Sequence, residues 1–199
     1  MKYLFIDTTT SFVTAAILVN DEIVASYNDY INDDMASKIF PIIDSLFNKV
    51  NFNVKDINKI YVVNGPGSFT GIRIGVTIAK VLASQMHIDI CPISSLEYMA
   101  SGTNSTCLSL IDARRGYVYA GAYDSNLDVI LSDSYIKLED LNLEMYDEVV
   151  SYDVTLNCLK PCLDIVKVIN KHKNDKINPH MVNPNYLKLT EAEEKQKND

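Results

Sequence analysis

The sequence is poor in the residue types that build metal sites and phosphate sites. It has three histidines and four cysteines, and neither set follows the spacing of a metal-binding motif. The cysteines are therefore expected to be buried or half-buried thiols, as in most proteins of a reducing compartment. The sequence contains no Gly-Lys-Ser/Thr tripeptide and no G-x-S-x-G motif, so it predicts neither a Walker loop nor a nucleophile elbow.

Long apolar runs and excess positive charge are also missing. No apolar run reaches membrane length, and the start of the chain becomes polar too soon for a signal peptide, so we expect a cytoplasmic protein without a membrane partner. The formal net charge is −8. Because phosphate neutralisation needs Lys and Arg, such a chain does not grip nucleic acid unaided. Any contact with nucleic acid would have to pass through a partner or a local patch.

The most distinctive stretch is NGPGSFTGIRIG at 64–75, which holds four of the seven glycines. The apolar run before it predicts a buried strand, and the run from Val76 to Met86 predicts a helix. Gly65 and Gly67 indicate backbone angles that a residue with a Cβ would resist. Ser68 or Thr70 is expected to cap the helix, and neither has a base nearby in sequence that would make it a nucleophile.

A phosphate-binding role for this glycine turn is disfavoured by spacing. The glycine at 71 comes one residue late for the dinucleotide fingerprint G-x-G-x-x-G, and a proline fills the first variable position. The following helix is more informative, because Gly71, Gly75, Ala79 and Ala83 form a row of small residues. That row is typical either of a helix buried inside one domain or of a helix that meets a partner subunit.

The patterns along the chain predict the order β-β-β-α-β-α-β, followed by a second β-β-β opening. The first part begins with predicted strands at 3–7, 12–19 and 22–28 and a predicted helix that runs from a cap at Asp33 to about Val50, with Pro41 inside it. A predicted loop at 53–57, the glycine turn, a strand at 87–93 and a capping box at 94–97 follow. The second part is predicted from strands at 106–112, 117–124 and 128–137 and a helix at 156–170 interrupted near Pro161.

That order resembles the repeated half of the actin, Hsp70 and sugar-kinase superfold. The resemblance implies an α/β, actin/Hsp70-like (ASKHA) two-lobe fold, in which each lobe is a mixed sheet with flanking helices. The lobes are predicted at 1–101 and 102–190, and the charged run at 191–199 is predicted to be disordered.

In the superfold, an aspartate at the end of the first strand and the hairpin after it handle phosphates. Asp7 and Thr8 occupy those positions, but threonines replace the usual glycine, and no Gly-Gly pair exists to clamp adenosine. We therefore expect no cofactor on this chain alone, and ATP or ADP only in an assembled complex. An ATP-dependent small-molecule kinase or ATPase of the same superfold is the alternative.

Six motifs carry a closer family resemblance, and they occur across most of the chain. They are Ile6-Asp7-Thr8, NGPGSFTGIRIG at 64–75, AKVLA at 79–83, SSLE at 94–97, IDARRG at 111–116 and PNYL at 184–187. The sequence resembles the TsaB (YeaZ-type) family of bacterial threonylcarbamoyladenosine tRNA modification. The resemblance implies a non-catalytic subunit that forms a homodimer and pairs with a TsaD-like catalytic subunit through helices of the first lobe. A TsaE-like ATPase would join, and tRNA would be reached only through the complex.

The resemblance, together with the small-residue row, gives a candidate partner interface. Its predicted residues are Met35, Ile39, Ile42, Phe47, Gly71, Ile72, Gly75, Val76, Ala79 and Ala83. Bulky residues at 75 or 79 are expected to abolish association while the lobe stays folded. The candidates for a ligand site or a structural loop are Asp7, Thr8, Gly65, Gly67, Arg73, Arg114 and Arg115.

A metal centre is not expected. The catalytic paralogue holds metal through a histidine pair on the first helix, where this chain offers Met35 and Lys38. The lack of that pair disfavours a further alternative, a metalloprotease or a metal-dependent acyl transferase.

Overall fold

The computed structural model describes residues 1–154 and 158–188, which contain two β-sheets with flanking helices. The first sheet has the strand order β3-β2-β1-β4-β5. Its strands are β1 (Lys2–Asp7), β2 (Phe12–Val19), β3 (Glu22–Tyr30), β4 (Lys59–Gly65) and β5 (Asp89–Ser94). The second sheet has the order β8-β7-β6-β9. Its strands are β6 (Cys107–Asp112), β7 (Tyr117–Tyr123), β8 (Val129–Lys137) and β9 (Glu148–Val150).

Strand β1 lies at the centre of the first sheet because it is apolar on both faces. It pairs antiparallel with β2 and parallel with β4. Leu4 and Ile6 belong to the core under the helices α1 (Met35–Val50) and α2 (Phe69–Met86). Tyr3 and Phe5 belong to a second core on the opposite face. Successive residues of one strand therefore serve two separate cores.

The second core joins the two lobes. It contains apolar residues of the first sheet, of the second sheet and of the short helices α3 (Ser95–Ala100) and α4 (Ile165–Lys171). The outer face of the second sheet forms a smaller core around Leu108, Leu110 and Val118. Half-buried residues of β8 and of the 3-10 turns Leu138–Asp140 and Leu143–Met145 cover that face.

After α4 the chain returns to the first lobe. Ile177 pairs with Ile90 of β5 in an isolated antiparallel bridge. The 3-10 turn Pro179–Met181 packs against α2, and Val182 is buried in the core beneath α1 and α2. Residues 177–186 therefore complete the first lobe, although they follow the second lobe in sequence.

The structure corrects the predicted bounds of the first helix and its neighbours. Helix α1 begins after Asp34, which has a φ of 52° and makes no side-chain cap, so the predicted cap at Asp33 is wrong. Pro41 does lie inside this helix. Strand β5 begins two residues later than predicted because His87, with a φ of 54°, ends α2 in a left-handed conformation. The predicted loop at 53–57 contains a 3-10 turn, Val54–Asp56.

The structure contradicts the predicted helix at 156–170 from 158 to 164 and confirms it from Ile165 onward. Residues 155–157 lie outside the described residues, and Leu159 pairs with Val150 in a parallel bridge. Helix α4 begins only after Asp164, whose carboxylate accepts a hydrogen bond from the Lys167 amide at 2.9 Å. The predicted interruption near Pro161 is therefore longer than expected, because a bridge at Leu159 precedes it and the cap at Asp164 starts a separate helix.

The two mixed sheets with flanking helices confirm the predicted α/β two-lobe architecture. The lobe boundary between 101 and 102 stays a prediction, and the predicted disordered run at 191–199 lies outside the described residues. None of the described helices combines the length and the apolarity that a membrane crossing needs.

Candidate functional site

The glycine turn between β4 and α2 has the unusual backbone that its sequence predicts. Gly65 has a φ of 115° and Gly67 a φ of 155°, and the peptide bond between Gly65 and Pro66 is cis. Ser68 ends the turn and caps α2, because its hydroxyl accepts a hydrogen bond from the Gly71 amide at 3.3 Å. The predicted strand, turn and helix are confirmed.

The turn is packed tightly against the loop that follows β1. A Cβ on Gly67 would overlap the carbonyl oxygen of Thr9, and a Cβ on Gly71 would overlap that of Thr8. The Ser68 amide donates to the Thr9 carbonyl at 2.7 Å, and the Thr8 hydroxyl donates to the Gly71 carbonyl at 2.7 Å. The glycines therefore let two backbone segments of the same lobe come into contact. The Ser68 amide, which could otherwise donate to a phosphate, is already bonded to the Thr9 carbonyl.

The row of small residues on α2 faces the interior of its own lobe. A Cβ on Gly75 would overlap the hydroxyl of Thr8, and Ala79 and Ala83 are fully buried. A bulky residue at 75 or 79 would therefore disturb the lobe itself. The packing argues against the expectation that such variants leave the lobe folded.

Most of the predicted partner interface is likewise buried in the core beneath α1 and α2. The structure contradicts an exposed position for Ile39, Phe47, Gly71, Ile72, Gly75, Val76, Ala79 and Ala83. The reason is that these residues pack on the sheet, which the apolar pattern alone could not distinguish from a partner. Met35 and Ile42 are half-buried and keep part of their surface free.

The polar stripe of α2 carries the returning end of the chain. Arg73 donates from Nε to the Tyr186 hydroxyl at 2.8 Å, and its guanidinium lies 3.8 Å from the ring centre of Phe69. Lys80 donates to the carbonyl of His180 at 3.3 Å. Arg73, a candidate ligand residue, is thus engaged by aromatic rings of its own chain.

Gly65 is the contact point for the PNYL motif. A Cβ on Gly65 would come within 2.8 Å of the Asn185 carbonyl oxygen, and the Asn185 amide donates to the Asn64 carbonyl at 2.7 Å. Two motifs that are far apart in sequence therefore meet in the structure. The close approach accounts for a glycine at this position.

Asp7 is buried at the end of β1, beneath the glycine turn. One carboxylate oxygen accepts hydrogen bonds from the Thr9 amide at 2.8 Å and the Thr9 hydroxyl at 2.7 Å. Burial raises the pKa of Asp7 to about 6, although the two bonds from Thr9 oppose the shift. The carboxylate is thus directed into the protein, and Asp7 does not line the neighbouring cleft.

A cleft of about 770 Å³ lies between the lobes. It is rich in hydroxyl groups and aromatic rings, among them Thr9, Thr10, Ser11, Phe12, Ser68, Thr70, Tyr119 and Tyr152. Its charged residues are Asp112, Arg114, Asp153 and Lys188. None of the three histidines, all of which are described, lines the cleft, so its hydroxyls have no imidazole base beside them. The arrangement suits hydrogen bonding and stacking.

The cleft gathers only part of the predicted ligand set. Gly67 and Arg114 line it, whereas Thr8, Gly65, Arg73 and Arg115 do not. Arg114 and Arg115 both have positive φ angles in the turn after β6, and both are exposed. Sequence reasoning missed Tyr152 and Lys188, which reach the cleft only through the packing of the lobes and carry no local motif.

A second set of polar contacts joins the lobes at α3. Ser94 caps this helix as predicted, and its hydroxyl also donates to Asp133 of β8 at 2.5 Å. The predicted capping box is only half formed, because the Glu97 carboxylate binds Nε2 of His172 at 2.8 Å. The bond with Glu97 raises the pKa of His172, burial opposes this, and Asp175 at 2.8 Å on the other ring nitrogen adds to the increase.

Within the described residues, no group of three or more His, Cys, Asp and Glu side chains is placed to hold a metal ion. The four cysteines, all of them described, are free thiols, and three are buried or half-buried as expected, whereas Cys162 is exposed. Burial raises the pKa of Cys91 to about 12 and of Cys107 to about 11, which keeps both protonated.

Comparison with solved structures identifies the class of fold. YeaZ from Pseudomonas aeruginosa matches 94% of this chain and 99% of its own with a TM-score of 0.80 and 21% sequence identity. A second P. aeruginosa structure, described as similar to the peptidase YEAZ, also matches with a TM-score of 0.80 at 18% identity. The protein therefore has the actin-like α/β two-lobe fold.

Sequence comparisons identify the family. The family model for TsaD, tRNA N6-adenosine threonylcarbamoyltransferase, matches residues 30–160. The Bacillus subtilis tRNA threonylcarbamoyladenosine biosynthesis protein TsaB is 38% identical over 74% of this chain and 67% of its own length. The Escherichia coli TsaB is 34% identical over 62% of this chain, a match that spans 55% of that relative. The chain belongs to the TsaB (YeaZ-type) family.

Proposed function

We propose that this protein is a non-catalytic subunit for threonylcarbamoylation of the adenosine next to the anticodon in tRNAs. It would act in the cytoplasm by pairing with a TsaD-like catalytic subunit, together with a TsaE-like ATPase, and would reach tRNA only through that complex. Its relatives in B. subtilis and E. coli carry the name of this modification, which supports the pathway.

The observation that carries the non-catalytic role is the contact between the loop after β1 and the glycine turn. The resemblance to the superfold assigns this loop to phosphate handling. In this protein its Thr9 carbonyl accepts from Ser68, its Thr8 hydroxyl donates to Gly71, and the Asp7 carboxylate binds Thr9. A phosphate would have to replace these internal bonds, so we expect the isolated chain to bind neither ATP nor ADP.

We place the partner surface on the outer side of α1 and α2. The exposed fractions of Phe40 on α1 and Val81 on α2 are 54% and 51%, which is high for large apolar residues. Ile74, seven residues before Val81, shares its side of α2 and is half-exposed. With the free parts of Met35 and Ile42, these residues replace the buried set that the sequence suggested. We propose that both the homodimer and the TsaD pair use this surface.

The central experiment is reconstitution. The full chain should co-purify with the catalytic homologue, and tRNA modification by the homologue and the ATPase should require the chain. The isolated chain is also titrated with ATP and assayed for its turnover. Modification that proceeds equally without the chain would refute the subunit role, whereas ATP turnover by the chain alone would favour the kinase or ATPase alternative.

Val81→Asp tests the surface without touching the core. A buried carboxylate at an interface is costly, so we expect pairing with the catalytic homologue to weaken by at least about tenfold. Val129→Asp is the matched control, since Val129 is 60% exposed and lies on β8 of the other lobe. Equal affinities of the two variants, each with an unchanged melting temperature, would show that the surface lies elsewhere.

A further inference from the structure

The last described segment, residues 182–188, is fastened to the first lobe, and we call it the C-terminal strap. Val182 is 1% exposed and packs in the core beneath α1 and α2. Asn64, at the glycine turn, binds the strap through two hydrogen bonds. Its side-chain amide donates to the Asn183 carbonyl at 2.9 Å, and its carbonyl accepts from the Asn185 amide at 2.7 Å.

Tyr186 is the outermost anchor of the strap on the first lobe. Its hydroxyl accepts from Nε of Arg73 at 2.8 Å, and its ring lies 5.1 Å from that of Phe69 with an interplanar angle of 28°. The Arg73 guanidinium also lies over the Phe69 ring. A planar guanidinium can stack and donate at the same time, which a lysine ammonium cannot.

Two residues further on, the strap reaches the second lobe. The ammonium group of Lys188 lies 5.6 Å from the ring centre of Tyr135 on β8. Phe69, beside the Tyr186 anchor, and Lys188 both line the interlobe cleft. The strap therefore crosses from one wall of the cleft to the other at its rim.

Two other segments connect the lobes, and neither contributes to the cleft lining. These are residues 101–106, between α3 and β6, and residues 172–176, between α4 and the bridge at Ile177. Lobes of two-lobe proteins close and open around ligands by rotation at such connections. A third connection across the rim of the cleft restricts that rotation.

We propose that the C-terminal strap holds the interlobe cleft closed at its rim, and that release of the Tyr186 anchor lets the cleft widen while the shared core still joins the two lobes. The strap is then a built-in latch on a two-lobe fold. The latch does not depend on the proposed role in tRNA modification, because it rests only on contacts within the chain.

Hydrogen–deuterium exchange on the full-length protein tests the latch. Tyr186→Ala removes both the hydroxyl acceptor and the ring, so amides on both cleft walls should exchange about tenfold faster. The informative segments are 8–12 and 67–70 on the first lobe and 112–114 on the second. Tyr186→Phe keeps the ring and loses the hydroxyl, and Arg73→Lys keeps the charge and loses the planar group. Both should give smaller increases.

Tyr27→Ala is the matched control, because Tyr27 is a half-buried tyrosine on β3 that does not line the cleft. It should leave exchange at 112–114 unchanged. Faster exchange confined to 183–188 in Tyr186→Ala would overturn the proposal, since the strap would then be a passive covering. A uniform increase that includes the central strand β4 would also overturn it, since Tyr186 would then support the whole fold.

Discussion

Each lobe begins, in sequence order, with a three-stranded antiparallel meander, but the elements that follow the meander differ between the lobes. In the first lobe, β1, β2 and β3 are followed by the long helices α1 and α2, which cover one face of the sheet. In the second lobe, β6, β7 and β8 are followed by two 3-10 turns, the short strand β9 and the helix α4. The corresponding outer face of the second sheet is covered mainly by half-buried side chains.

The difference is sharpest at the end of the first strand of each lobe. Asp7 ends β1 and is 6% exposed beneath the glycine turn, whereas Asp112 ends β6 and is exposed beside the cleft. Gly71 touches the loop after Asp7, whereas nothing lies within 4 Å of a Cβ placed on Gly116, in the turn after Asp112. Two strands that both end in Ile-Asp are therefore followed by a packed junction in one lobe and an open turn in the other.

The largest difference in the free energy of unfolding should come from alanine substitutions at Gly71 and Gly116. Gly71→Ala forces the Thr8 carbonyl away from α2, and we expect a loss of about 3 to 5 kcal/mol in the free energy of unfolding. Gly116→Ala adds only the strain of a φ of 77°, so we expect about 1 kcal/mol. Urea unfolding of both variants measures the difference. Equal losses would mean that the glycine turn is not tightly packed.

The buried Asp7 should make the free energy of unfolding depend on pH. The pKa of Asp7 is raised to about 6, so its contribution to folding is favourable at low pH and is lost as the pH rises from about 4 through 6. Asp7→Asn removes the charge that is costly to bury, so it should stabilise the protein at pH 8 by on the order of 2 kcal/mol and have little effect at pH 4. Thermal melts between pH 4 and 8 give the comparison, and parallel curves for wild type and Asp7→Asn would contradict it.

The smallest predicted effect concerns the contact that holds the two lobes together at α3. The pKa of His172 is raised by Glu97, so the stability it adds is complete below its ordinary pKa and is lost as the pH rises through the raised value. His172→Gln should therefore cost about 1 kcal/mol near pH 6 and less above pH 8. His180→Gln is the control, because no acidic side chain bonds to the His180 ring among the described residues. A loss in His172→Gln that is constant with pH would show that the ring acts by packing alone.

Local signals in the sequence were enough for the parts of the fold that depend on neighbouring residues. Residues that are close together in sequence predicted three such features. These are the positive φ angles of Gly65 and Gly67, the cap at Ser68 and the meander of each lobe. The cap at Ser94 was also predictable. The contact of Glu97 with His172 was not predictable, because the two residues are 75 positions apart in sequence.

The candidate site depended on contacts between distant segments. A row of small residues has the same pattern whether it meets a partner helix or the loop at Thr8, which lies 63 residues before Gly71. The interface prediction therefore selected buried residues, whereas Phe40 and Val81 on the same two helices are exposed. Likewise, the apolar residues predicted the helix at 156–170 with its interruption near Pro161, but they did not predict the bridge between Leu159 and Val150, which depends on a distant strand.

The return of residues 177–186 to the first lobe has a consequence for synthesis. All strands of the first sheet have left the ribosome once Ser94 has emerged, but Val182, which fills the core beside α2, is made after the whole second lobe. Domains generally fold as units from the N-terminus during translation. The core of the first lobe therefore stays incomplete while the second lobe is translated, and its final packing can form only after Val182 has been made.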